Sequence, residues 1–157
     1  GGVKPLETKG MKAAFPDIVK NYVETGKVKI VFMDFPFLGP DSMTAAEYGR
    51  AIWKLYPAQY DAWRTAMFVA QDDENAGFGN EATIKTLTAK IAGIDAAKVA
   101  ADVAANKAAY DALIADDRAI AEKAGVSATP TSLVGNKLIA GAYPYDAFKQ
   151  AIDAQLK

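Results

Sequence analysis

The sequence predicts an α/β domain interrupted by an all-helical insertion. Strand grammar occurs in only two short places, "KVKIVFMDFPF" and "TSLVGNKLIAG", at opposite ends of the chain. Between them runs a long alanine-rich stretch with helical periodicity and no strand-like run. Further amphipathic helices stand outside the two strand regions. Residues 1–41 and 126–157 therefore read as one smaller α/β unit. Residues 42–125 read as an insertion into it.

Each element has its own signal. Lys12 to Thr25 predicts a helix, because Phe15, Ile18, Val19, Tyr22 and Val23 recur at helical spacing and Gly26 is placed to stop it. Pro16 lies inside that pattern, so the helix should start, kink or break there. Val28, Ile30 and Phe32 then alternate with Lys27, Lys29 and Val31, which predicts a strand ended by Pro36 and the turn "LGPDS". Ser42 or Asp41 is placed to cap a helix whose apolar face includes Ala45, Ala46, Ile52 and Trp53. "YPAQYDAWRTAMFVAQ" predicts a second helix through Tyr60, Trp63, Met67 and Phe68. "NEATIKTLTAKIAG" predicts a third, capped near Asn80 and stopped at Gly93. From Asp95 to Gly125 the pattern gives one long helix or two. "TSLVGNKLIAG" reads as a hairpin turning at "GNK". Tyr145 or Asp146 opens a last helix through Phe148, Ile152 and Leu156.

Composition closes most routes to chemistry. The 157 residues carry 18 basic and 19 acidic side chains for a formal charge of −1, which gives no electrostatic reason to expect nucleic acid or an anionic membrane surface as partner. No apolar run approaches the roughly 18 residues needed to span a bilayer. "GGVKPLETKG" lacks the layout of a signal peptide. With no cysteine and no histidine, the polypeptide has no thiol chemistry, no usual zinc or haem ligand set and no Ser-His or Cys-His pair. No metal and no cofactor is expected.

Other clusters read as bland. The acidic stretches "QDDEN" (71–75) and "ADD" (115–117) lack a glycine-spaced ligand loop and are expected to be solvated faces. "GFGNEA" has neither a preceding strand nor a following Lys-Ser/Thr pair, so it is not a phosphate loop. Trp53, Tyr56, Tyr60 and Trp63 recur at helical spacing, which favours core packing, although some of them could line a groove.

One combination is specific. "KVKIVFMDFPFLGPDS", an alanine-rich helical block, and "AGVSATPTSLVGNKLIAGAYPYDAFKQAI" together resemble the DsbA-like thiol–disulfide oxidoreductases, from about Phe15 onward. The resemblance implies a thioredoxin-like fold with a helical insertion and disulfide exchange on extracytoplasmic or periplasmic proteins in the service of protein folding. It also implies unfolded or cysteine-containing polypeptides as partners, and a membrane redox partner. By the same resemblance Pro130 is a cis-proline facing the redox pair, with Thr129 before it. The residues alone also allow Pro130 simply to open an edge strand.

The family places a Cys-x-x-Cys pair at the start of the first helix, where the helix N-terminus favours the thiolate. Family spacing puts that motif on "KPLE", so that Lys4 and Glu7 occupy the two cysteine positions and Pro5 falls where the family often has proline. Neither Lys4 nor Glu7 is competent for exchange. Three readings stay open: a natural non-redox relative with Lys4 and Glu7 as an ion pair, a chain whose cysteines were replaced or misassigned, or a different register. The non-redox reading leaves a peptide-binding protein that uses the proline loop and an apolar groove. The family also needs a central strand just before this helix, and only "GGV" precedes it. Residues upstream, or another segment, are expected to supply that strand.

Overall fold

A computed structural model describes residues 13–72 and 78–157. They form two compact units. One comprises the described residues up to Phe32 together with Glu122–Lys157, and the other is Met33–Ala121.

The first unit is built on three elements. Helix α1 spans Phe15–Ile18 and carries Pro16 in its first turn, where a missing N–H leaves no bond unmade. It widens into a π-helical stretch, Val19–Val23, whose end is marked by the Glu24 N–H donating to the Val19 carbonyl at 2.9 Å. The helical pattern between Phe15 and Val23 is thus real but not uniformly α, and Gly26 follows it with φ 71°. Strands β1 (Thr131–Val134) and β2 (Lys137–Ala140) form an antiparallel hairpin with Thr131 opposite Ala140 and Val134 opposite Lys137. The final helix, Tyr145–Gln155, buries Phe148, Ala151 and Ile152. These join Ala14, Ile18, Tyr22 and Ile139 in one core, with Val28, Ile30 and Val134 at its margin.

The predicted strand over residues 27–37 does not form. Val28 and Ile30 face the core while Lys27, Lys29 and Val31 are exposed, but Phe32, expected on the inner face, is 42% exposed, so the alternation sorts the side chains only as far as Val31. A strand also needs a hydrogen-bonded neighbour, and among the described residues the sheet has only β1 and β2. Patterning set the facing; pairing was beyond it.

The second unit is helical. Helix α2 (Pro40–Leu55) starts from Gly39, which adopts φ 91°, instead of from the expected Ser42 or Asp41 cap. A 3₁₀ turn at Pro57–Gln59 leads into α3 (Tyr60–Ala70), so the second helix expected over 56–71 begins as 3₁₀ and is α-helical from Tyr60. Asn80 caps α4 (Glu81–Thr88) by accepting from the Thr83 N–H at 3.0 Å. That helix ends at Thr88, short of Gly93. Helix α5 then runs unbroken over Ala96–Lys123, begun by Asp95 accepting from the Ala97 and Lys98 amides at 3.0 Å. The core of this unit gathers Tyr48, Ala51, Ile52, Trp63, Ile84, Val99, Val103 and Tyr110. The last helix of the chain, Tyr145–Gln155, is α6.

Candidate functional site

The chain bends sharply just before β1. The Thr129–Pro130 peptide bond is cis. Around it the loop is held from within: the Pro130 carbonyl accepts from the Gly141 N–H at 2.7 Å, and the Thr131 hydroxyl donates to the Ala128 carbonyl at 2.6 Å. The first of these bonds continues the hairpin ladder past the Thr131–Ala140 pair, so Pro130 is fixed by the hairpin itself. Thr129 is exposed and makes no hydrogen bond among the described residues. Its N–H and carbonyl are groups that an extended chain can use.

Next to this loop, the hairpin's outer face is apolar. Leu133 pairs with Leu138 across the strands, and both are exposed, Leu133 at 56%. The opposite face carries Val134 and Ile139 into the core. The edge of β1 away from β2 is unpaired among the described residues. Such an edge accepts a further strand.

Helix α1 is tied to α6 beneath. The Tyr22 hydroxyl donates to Asp153 Oδ1 at 2.7 Å, Lys149 pairs with the other oxygen of the same carboxylate, and Asn21 Nδ2 donates to the Tyr145 hydroxyl at 3.0 Å. Hydrogen bonds from Lys149 and then Tyr22 hold the Asp153 carboxyl below its ordinary range. The same bond from Tyr22 to Asp153, more than burial, pushes the Tyr22 phenol up. These bonds fix how α1 lies on α6. Lys4, Pro5 and Glu7, proposed from the sequence as the redox-pair positions, lie outside the described residues.

In the second unit the aromatic series divides. Trp63 is buried and its Nε1–H donates to Thr88 Oγ1 at 2.9 Å. Trp53 does not join the core: it is 58% exposed and stands edge-on to Tyr60 at 5.1 Å between ring centroids. Glu47 takes a buried place on the same helix, paired with Lys107. A shallow apolar groove of about 520 Å³ lies between α3 and α4, lined by Val69, Phe78, Leu87 and Ile91 with Lys90. Met33, Phe37 and Leu38 add an exposed apolar strip, and the Phe35 and Phe37 rings touch at 5.8 Å between centroids.

Sequence reasoning missed one cluster. Asp117 of "ADD" is not on a solvated face: it meets Arg50, which also binds Asp34 Oδ2 at 2.6 Å. Nothing local in the sequence announces it, because the partners are 16 and 67 residues from Arg50. Among the described residues no group of three or more side chains could hold a metal ion, and no helix is long and apolar enough to cross a membrane.

Comparison with known proteins agrees with this architecture. The thioredoxin family pattern matches residues 8–154. Disulfide bond formation protein D of Bacillus subtilis is 26% identical over 143 residues, covering 91% of this chain and 64% of that protein. A probable disulfide bond formation protein D of Bacillus anthracis is 28% identical over 144 residues, with 90% and 64% covered. The chain thus spans just under two thirds of these relatives' length. Among solved structures, oxidised BdbD of Bacillus subtilis superposes with a TM-score of 0.78 at 25% identity, covering 90% of this chain and 76% of that one. The thiol–disulfide exchange protein α-DsbA2 of Wolbachia pipientis gives 0.75 at 25% identity, covering 90% and 73%. The fold is thioredoxin-like with an all-helical insertion, and the chain belongs to the thioredoxin family.

Proposed function

We propose that this protein belongs to the disulfide-forming line of its family and acts on cysteine-containing polypeptides outside the cytoplasm. In that line residues 1–41 and 126–157 form the thioredoxin-like half, and residues 42–125 the insertion. Exchange would need one thiolate to attack a substrate disulfide, or the reverse, giving a mixed disulfide that a second thiol resolves. The 157 residues contain no cysteine, so they supply neither sulfur. A membrane partner that removes electrons belongs only to a chain with both sulfurs.

The absence of cysteine favours a second reading, in which the chain binds extended polypeptide without oxidising it. One observation supports it: the loop at Thr129–Pro130 offers an unpaired backbone beside an apolar hairpin face and an open β1 edge. Strand addition would supply main-chain hydrogen bonds, and Leu133 with Leu138 would receive an apolar side chain.

The test restores the missing chemistry. Lys4→Cys combined with Glu7→Cys should convert the inert chain into one that reduces insulin disulfides in the presence of dithiothreitol. Each single variant should form a mixed disulfide with a disulfide-bearing peptide, releasing the peptide's other sulfur as a thiol, and stop there. Turnover by the unmodified protein, checked against intact mass and thiol alkylation, would contradict the cysteine-free starting point. An inert double variant would refute the assignment of Lys4 and Glu7. Binding of an unfolded peptide to the unmodified protein, with amide shifts at Thr129 and Thr131, is the expected result for the second reading, and a peptide that leaves those amides unmoved would end it.

A further inference from the structure

Three charged groups meet where the second unit begins and ends. Asp34 is the residue after Met33, which opens that unit, and Asp117 lies within the last turn or so before Ala121, which closes it. Arg50 on α2 stands between them. Its Nε donates to Asp34 Oδ2 at 2.6 Å and its Nη2 to Asp117 Oδ2, and the Asp34 N–H donates to that same Asp117 oxygen at 2.8 Å. The three side chains are only 32%, 25% and 18% exposed, in the order Asp34, Arg50, Asp117.

Charge does not balance here. Two carboxylates share one guanidinium, which leaves one surplus negative charge in a partly buried place. The two acids are not equally provided for. Asp117 accepts from the guanidinium and from a backbone amide, whereas among the described residues the Asp34 carboxylate accepts from the guanidinium alone. A proton added to the cluster therefore goes to Asp34.

Other charged or titratable groups stand nearby. The Tyr60 phenol on α3 feels the charges of Asp34 and Arg50, with Arg64 and Asp61 on the same helix, and the Arg118 guanidinium stands over the Phe35 ring at 5.8 Å. The sequence has no histidine to buffer the region.

We infer that Asp34, Arg50 and Asp117 form a proton-binding clasp that joins the first and last segments of the helical unit, with Asp34 taking up the proton on acidification. Burial pushes the Asp34 carboxyl above its ordinary value of 3.8, Arg50 opposes the rise, and Asp117 adds to it. Folding then takes up a proton. The stability contributed by Asp34 is fully present below its unfolded value and is lost as the pH rises through the raised one.

Carboxyl-carbon NMR titration of the intact protein tests this directly. Asp34 should titrate above its ordinary value of 3.8. In Asp117→Asn the surplus charge is gone, so the Asp34 midpoint should fall. In Asp34→Asn the gain in unfolding midpoint on going from neutral to mildly acid solution should disappear. An Asp34 midpoint at or below the ordinary range, or one that does not move in Asp117→Asn, would overturn the clasp. If either variant fails to fold, the Asp34 midpoint in the unmodified protein decides the matter alone.

Discussion

Single residues in this chain are defined by what they satisfy. Trp63 brings a large apolar ring into the core together with one N–H that must be paired, and Thr88 pairs it while donating its own hydroxyl hydrogen to the Ile84 carbonyl at 2.7 Å. Thr88→Val keeps the shape and leaves the indole N–H buried without an acceptor. It should cost about 1–3 kcal/mol in urea denaturation followed by tryptophan fluorescence. Trp63→Phe removes the donor along with its need, so any loss there comes from packing. A Thr88→Val protein as stable as the parent would show that the indole finds another acceptor. Such side-chain bonds were not legible in the sequence. The Trp63–Thr88 bond spans 25 residues and the amide of Asp34 reaches 83 residues to Asp117, whereas periodicity reports only neighbours within a turn or two. The bend at Thr129–Pro130 was legible only through the family resemblance, since the residues alone also allowed Pro130 to open an edge strand.

At the level of elements, amphipathic spacing recovered most of the helices, because the burial of one face is written into the order of residues. The ends were less legible. Gly39 opens α2 by adopting a positive φ that only the backbone reveals, and Trp53 leaves the apolar face where Glu47 is buried beside Lys107. The hairpin turn is the clearest case of a residue chosen for its backbone. Gly135 has φ 61°, and a Cβ there would come within 2.3 Å of Gln155 Oε1. The second penalty is avoidable, since the end of a glutamine side chain can move. The first is not. Gly135→Ala should therefore lose about 1–2 kcal/mol of stability, the cost of a left-handed conformation for a residue with a Cβ. Gly135→Asn should recover part of it, because asparagine tolerates that region. Adding Gln155→Ala to Gly135→Ala tests the division: full rescue would mean that the contact, not the dihedral angle, sets the cost.

For the whole molecule, the charges predict an unusual pH profile. Burial alone would raise the Asp102 carboxyl, but hydrogen bonds from Lys54 and Tyr110 outweigh it and hold the group below its ordinary value. A depressed carboxyl contributes stability above the unfolded value and loses it as the pH falls through the folded one. Asp153 acts in the same sense, with less effect because solvent screens it. Asp34 acts in the opposite sense and at higher pH, so acidification from neutrality first relieves its buried charge and only later breaks the Asp102 and Asp153 pairs. On the alkaline side, burial pushes up the phenols of Tyr48 and Tyr110, so their contribution holds below the ordinary tyrosine value of 10.0 and declines above it. No histidine titrates between these limits. Stability should therefore rise as the pH falls through the raised Asp34 value and fall again once the Asp102 and Asp153 pairs break, which a urea midpoint followed across the acid range reads. Raising the ionic strength should weaken the exposed Lys149–Asp153 contribution first and leave the acid-side gain in place, since a partly buried cluster is screened less than a surface pair. A midpoint that shows no rise across that range would mean that Arg50 fully compensates Asp34, and that the clasp takes up no proton.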